Sequence, residues 1–81
     1  MKNLDKILKS ITESCKESKI KFDDAYWKVE NRQTGKMADF YFIYKGKRYG
    51  GAMFYEEISQ LNIREEFIIR MVESLRKIVQ I

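Results

Sequence analysis

FYFIYKGKRYGGAMFY, residues 40–55, contains seven of the eleven aromatic residues of an 81-residue chain. Its two halves alternate in side-chain character around Lys45-Gly46-Lys47, which is typical of two β-strands joined by a tight turn. A two-residue turn, at either Lys45-Gly46 or Gly46-Lys47, makes odd-numbered positions oppose even-numbered ones, whereas a three-residue turn reverses the pairing. The segment therefore predicts a β-hairpin whose two faces differ in composition.

With a two-residue turn, one face of this hairpin is almost wholly apolar. It carries Phe40, Phe42, Tyr44, Tyr49, Gly51, Met53 and Tyr55. The other face carries Asp39, Tyr41, Ile43, Lys45, Arg48, Gly50, Ala52 and Phe54. Because a small domain must bury its apolar face, we expect the first face to form the core and the second to be open. Gly50 and Gly51 favour a β-bulge in the second strand of the hairpin, with close approach of a partner to the backbone as the alternative.

The flanking segments predict two helices and one further strand. Residues 3–18 repeat apolar side chains at steps of three and four, as amphipathic helices do. From Ala25 the period changes to two, and residues 31–36 are predicted to form a turn. A second helical stripe begins near residue 63, with Asn62 as the predicted cap.

The order of elements predicts an α+β fold for a single domain spanning residues 1–81. We expect a three-stranded antiparallel meander, in the order 1-2-3, with both helices packed on one face. A short extra helical turn is possible at about 56–60. The core is predicted to include Leu8, Ile11, Trp27, Phe40, Phe42, Phe67, Met71 and Leu75.

The composition argues against catalysis. The chain has no histidine, which is the commonest general base and the commonest metal ligand. Its single cysteine, Cys15, falls on the apolar stripe of the first helix. No cysteine pair has zinc spacing, and no glycine-rich loop matches a phosphate cradle. We therefore expect a non-enzymatic protein with no cofactor and no metal.

The sequence predicts a cytoplasmic protein with no membrane association. A lone cysteine cannot form an internal disulfide, which favours a reducing compartment. No apolar run approaches the roughly 18 residues of a membrane span, and the N-terminus lacks the apolar core of a signal peptide. The net charge of +4 permits an acidic partner without requiring one.

The candidate binding residues lie on the open face and at the hairpin tip. They are Tyr26, Lys28, Tyr41, Ile43, Lys45, Lys47, Arg48 and Phe54. Aromatic rings beside cations suit stacking on nucleobases with phosphates held nearby. They equally suit a protein interface, where Tyr and Arg are common anchors. A third interpretation is an ordinary strand surface with snorkelling lysines.

The order helix, three strands, helix resembles the double-stranded RNA-binding domain. FYFIYKGKRYGG is similar to that family's second strand, turn and third strand, in which Gly-Lys is followed by an aromatic residue and Gly. That resemblance implies binding to double-stranded RNA. The family's second helix opens with a lysine cluster that contacts phosphate, whereas this chain has Asn62-Ile63-Arg64-Glu65-Glu66 there. Carboxylates at that place disfavour an RNA backbone.

The same order also occurs among small phage-encoded inhibitors, including some anti-CRISPR proteins. The chain resembles them in its size and in its lack of catalytic groups. This resemblance implies a protein that occludes the surface of a host protein, such as a complex that handles nucleic acid. We therefore expect a protein partner rather than naked nucleic acid, with nucleic-acid binding as the alternative.

Overall fold

A helix, three antiparallel strands and a second helix follow one another in the computed structural model, which describes residues 2–79. The elements are α1 (Lys2–Glu17), β1 (Asp24–Arg32), β2 (Gly35–Tyr44), β3 (Lys47–Phe54) and α2 (Leu61–Val79). The strands form one sheet in the order β1-β2-β3, which confirms the predicted α+β meander. The short extra turn is a 3₁₀ helix at Tyr55–Glu57, slightly earlier than predicted.

The hairpin between β2 and β3 turns through Lys45 and Gly46. Their φ angles of 50° and 79° are both positive, as a type I′ turn requires. Tyr44 is therefore paired with Lys47, and every later pair follows the same register. This register confirms the two faces that the sequence predicts for a two-residue turn.

The hairpin between β1 and β2 is tighter than the sequence suggests. Arg32 pairs with Gly35, so that only Gln33 and Thr34 lie between the strands. Gly35 has a φ of 127°, a backbone conformation that side chains rarely adopt. The loop predicted at 31–36 is therefore wrong at both ends, because the strands continue into it.

Both helices cover the same face of the sheet, as predicted. The buried core contains Leu4, Ile7, Ile11 and Cys15 of α1, Ala38, Phe40 and Phe42 of β2, Met53 of β3, and Met71, Val72 and Leu75 of α2. The rings of Phe40 and Phe67 lie 5.4 Å apart and join β2 to α2. Trp27 packs against this core, and its Nε1 donates a 2.7 Å hydrogen bond to Asp5 Oδ1.

Gly50 and Gly51 do not form the predicted bulge, because pairing continues through both of them opposite Tyr41 and Phe40. A Cβ atom at Gly50 would overlap the carbonyl oxygen of Phe40. A Cβ atom at Gly51 would lie 2.5 Å from the sulfur of Met71. The two glycines therefore let β3 approach both β2 and α2 closely.

The two helices end and begin in different ways. The C-terminus of α1 is closed by a Schellman motif, in which the N–H of Ile20 donates to the carbonyl of Cys15 at 3.0 Å and Lys19 takes a φ of 65°. α2 begins at Leu61, so the prediction of Asn62 as its cap is wrong. Arg76, near the end of α2, donates to the carbonyl of Ser14 at 3.4 Å, which places the two helix C-termini at the same end.

Candidate binding surface on the open sheet face

The second face of the sheet points away from both helices. We call it the open face. The strand register assigns to it Asp24, Tyr26, Lys28, Glu30, Arg32, Met37, Asp39, Tyr41, Ile43, Arg48, Gly50, Ala52 and Phe54. No helix among residues 2–79 covers this face, since the buried residues of α1 and α2 all pack on the opposite side.

Four of the predicted site residues form a row across all three strands. Tyr26 and Tyr41 are cross-strand partners whose rings pack at 5.1 Å with a tilt of 36°. The guanidinium carbon of Arg48 lies 4.7 Å from the centroid of the Tyr41 ring. Nζ of Lys28 lies 6.0 Å from the centroid of the Tyr26 ring. Both cations are therefore within the range of a cation–π interaction.

The side chain of Arg48 is exposed to solvent, but its guanidinium interacts with two neighbouring tyrosines. A hydrogen bond with the side chain of Tyr26 raises the pKa of Arg48 above its usual value, and the Coulomb interaction with Tyr26 adds to the shift. Because the guanidinium also stacks on Tyr41, two neighbouring side chains fix its plane. Both tyrosines therefore act on the orientation of the guanidinium.

An ion pair on the same face involves two residues absent from the predicted site. Asp39 is only 4% exposed, although it lies on the open side of β2. Nη2 of Arg32 donates a 2.6 Å hydrogen bond to Oδ1 of Asp39, and Glu30 Oε2 lies 3.5 Å from the same nitrogen. The hydrogen bond with Asp39 is the main cause of the raised pKa of Arg32.

The second oxygen of Asp39, Oδ2, is buried and has no hydrogen-bond partner among residues 2–79. Sequence reasoning missed the Arg32–Asp39 pair because it placed Arg32 in a turn. The sequence feature that could have revealed the pair is the alternation of β1. If the first turn has two residues, this alternation continues through Arg32. Arg32 then lies on the same face as Asp39.

A shallow depression of about 270 Å³ joins the ion pair to the row of tyrosines. It is lined by Arg32, Asp39, Tyr41, Arg48, Tyr49, Gly50, Gly51 and Ala52. Since Gly50 carries no side chain on this face, the backbone of β3 forms the floor beside Arg48. The depression is thus wide enough for a side chain of a partner and bears both signs of charge.

The other predicted site residues are more scattered. Ile43 is paired directly with Arg48 and adjoins the row. Phe54 is 40% exposed but lies six residues from Arg48 along β3, which corresponds to about 20 Å. The row and Phe54 therefore occupy opposite ends of the open face.

The placement of Lys45 on the open face is wrong. Lys45 lies in the turn, where strand alternation does not apply, and its Nζ is 5.3 Å from the ring of Tyr44 on the helix-covered side. Lys47 is paired with Tyr44 and shares that side. Both lysines therefore border the hairpin tip rather than the row.

The charges of the open face are mixed. Lys28, Arg32 and Arg48 stand among Asp24, Glu30 and Asp39. Arg32 is already engaged by two of these carboxylates. The face therefore presents local positive charge at Lys28 and Arg48 rather than a continuous basic track.

Cys15 has the burial of a core residue. Its side chain is fully buried, and desolvation raises the pKa of its thiol, while the nearby charge of Arg76 acts in the opposite direction. A buried thiol with a raised pKa is a poor nucleophile. Within the described residues, no group of three cysteine or carboxylate side chains is placed to hold a metal ion.

Comparisons of the chain with protein-family profiles, with curated protein sequences and with solved structures found no significant match. Between residues 2 and 79, no helix is both long and apolar enough to cross a bilayer.

Proposed function

We propose that this chain is a non-enzymatic binding protein that docks on a macromolecular partner through the open face. The observation that supports this proposal is the contact of Tyr41 with both Tyr26 and Arg48, three members of the row, on a sheet face that neither helix covers. Tyr and Arg are among the residues that most often anchor protein interfaces. Because these three side chains already pack on one another, they lose less conformational entropy on binding than free side chains do.

The mixed charge of the open face favours a protein as the partner. A nucleic acid presents a continuous series of phosphates and selects uniformly basic surfaces. Here the buried carboxylate of Asp39 and the exposed Glu30 stand beside the cations. A protein surface can meet such an alternation of charge with complementary groups of its own.

Double-stranded RNA binding is the second candidate. The order of elements, with two helices on one face of an antiparallel meander, is the feature that favours it. Glu65 and Glu66 in the first turns of α2 weigh against it, because they would lie near the phosphates that this family's second helix contacts. The two candidates use different surfaces, so a single set of variants separates them.

A pair of matched double variants tests the proposal. Tyr41→Ala with Arg48→Glu alters the open face. Ile69→Ala with Lys6→Glu makes the same change in charge on the helix side, where Ile69 is 57% exposed. Each purified protein is immobilised, and the proteins that it captures from a host lysate are quantified by mass spectrometry. We expect a partner that wild type and the helix-side variant retain and the open-face variant loses.

A direct binding assay follows for the captured partner and for duplexes of roughly 16 base pairs, the length that a double-stranded RNA-binding domain spans. Equal capture by all three proteins would contradict docking through the open face. Duplex binding that falls steeply between about 50 and 200 mM salt would instead support the second candidate.

A further inference from the structure

Arg48 differs from the other four arginines of the chain in what its guanidinium contacts. Arg32 and Arg70 bind carboxylates, while Arg64 and Arg76 donate to backbone carbonyls. The guanidinium of Arg48 lies over the ring of Tyr41, and Arg48 forms no ion pair with any carboxylate in the range 2–79. Its full charge therefore remains available to a partner.

The contacts of Arg48 leave its donors accessible. A guanidinium carries five N–H donors in a planar fork. The guanidinium lies over the ring of Tyr41, and hydrogen bonding to Tyr26 is the main cause of its raised pKa. The remaining donors face solvent, because the side chain of Arg48 is exposed and the neighbouring Gly50 has no side chain to cover them. This geometry is suited to a planar acceptor with two oxygens.

Building on the proposed function, we propose that Arg48 is the anchor for a carboxylate on an acidic protein partner. The carboxylate of a Glu or Asp side chain accepts two parallel N–H···O bonds from the fork of Arg48. Tyr41 lies behind the fork, and the partner's adjoining residues occupy the depression beside Gly50. The site thus recognises an acidic segment of a protein surface.

Charge around the anchor favours a carboxylate over a nucleic-acid phosphate. Asp24 lies on the same face and is paired with Ile43, the cross-strand partner of Arg48. Asp39 lies on the other side of Tyr41 and contributes a buried carboxylate. A phosphate chain that engaged Arg48 and ran towards β1 would pass Asp24, which forms no ion pair within residues 2–79. Asp39 adds less repulsion because Arg32 is already paired with it. A single acidic side chain reaches Arg48 without passing Asp24. Lys45 and Lys47 at the hairpin tip supply further attraction at longer range.

Tyr26 is a positioning residue in this proposal. Its ring packs against Tyr41, over which the guanidinium of Arg48 lies, and hydrogen bonding to its side chain raises the pKa of Arg48. Tyr26 therefore acts on the orientation of the fork without contacting the partner's carboxylate. Tyr26→Phe removes the hydroxyl and keeps the ring pair. The expected result is weaker binding with an unchanged denaturation midpoint, which a purely structural role for Tyr26 would not produce.

The test is an NMR titration of the ¹⁵N-labelled full chain with a capped pentapeptide that carries one glutamate between glycines, because the proposed site accepts a single carboxylate. Wild type is compared with Arg48→Lys, which preserves net charge but removes the fork. We expect the peptide to shift the Nε–H of Arg48 and the amides of Tyr26 and Tyr41. Arg48→Lys is expected to weaken binding by roughly tenfold, since it loses one charge-assisted hydrogen bond. Arg64→Lys is the matched control, and it is expected to bind as wild type does.

Three results would overturn the proposal, and they differ in what else they contradict. Equal binding by wild type and Arg48→Lys, with loss in Tyr41→Ala, would reject the carboxylate anchor and keep the open face as the docking surface. If a single-stranded or duplex oligonucleotide bound at Arg48 more tightly than the peptide does, Arg48 would be a nucleic-acid contact instead. Peptide-induced or partner-induced shifts confined to α1 and α2 would reject the anchor and the proposed function together.

Discussion

Nη2 of Arg32 donates a 2.6 Å hydrogen bond to Oδ1 of Asp39, and this bond joins β1 to β2 on the side of the sheet that the helices leave uncovered. Asp39 is almost completely buried, whereas the side chain of Arg32 is 41% exposed. The two side chains therefore lie in different environments, because Asp39 is shielded from water and Arg32 is in contact with it. Loss of the arginine would leave a buried charge, while loss of the carboxylate would leave a cation that water can reach.

The first prediction follows from this asymmetry. Arg32→Ala is expected to lower the urea midpoint more than Asp39→Ala does, because it leaves the buried carboxylate of Asp39 without a counter-charge. The double variant is expected to recover part of the loss, which a double-mutant cycle measures. Equal effects of the two single variants, with simple additivity in the double variant, would show that the ion pair does not determine stability here.

The second prediction concerns the two faces of β2. Phe42 is fully buried, and Phe42→Ala is expected to cost about 3–5 kcal/mol, the usual range for a core phenylalanine. Tyr41→Ala, at the preceding residue on the open face, removes the ring pair with Tyr26 and the cation–π contact with Arg48. It is expected to cost about 1–2.5 kcal/mol. Chemical denaturation measures both values. A larger cost at Tyr41 than at Phe42 would mean that the faces are assigned the wrong way round.

The third prediction concerns the end of α1. Lys19 occupies the left-handed position of the Schellman motif, where glycine carries no steric penalty. Lys19→Gly is expected to raise the free energy of unfolding by about 0.5–1 kcal/mol, the steric relief being partly offset by the extra freedom of glycine in the unfolded chain. Lys19→Ala removes the same charge but keeps the Cβ atom. A gain of the same size in both variants would point to charge rather than backbone conformation.

The fourth prediction is a pH dependence. Burial raises the pKa of the Cys15 thiol in the folded state above its unfolded value. The contribution of the protonated thiol to stability is therefore complete below the unfolded pKa and decreases as the pH rises above it, because the unfolded chain then loses its proton first. Between about pH 7 and pH 10, the free energy of unfolding should fall more for wild type than for Cys15→Ala. Parallel pH profiles of the two proteins would contradict this expectation.

The fold was predictable from the sequence because its periodicities are unambiguous. Apolar steps of three and four define both helices, and the aromatic alternation on both sides of Lys45-Gly46-Lys47 indicates the second hairpin. Its register depended on whether the turn had two or three residues, which the alternation alone does not decide. The first hairpin was harder, since Asn31 to Lys36 is polar throughout and only Gly35 marks the turn. Local composition does not show whether polar residues belong to a strand or to a loop.

The candidate site was predictable in part. Alternation places Tyr26, Tyr41 and Arg48 on one face, but it cannot show that their side chains contact one another. It misplaced Lys45, whose turn conformation directs it toward Tyr44. It also overlooked the burial of Asp39, which depends on the extension of β1 to Arg32.

Hydroxyl-radical footprinting of the complex with the captured partner tests docking through the open face most directly, because it reports the exposure of individual side chains. Tyr26 and Tyr41 are expected to lose reactivity when the partner binds, while Leu61 and Ile69, which are exposed on α2, keep theirs. The converse pattern, with Leu61 and Ile69 protected and both tyrosines as reactive as in the free protein, would show that the partner binds the helical side instead.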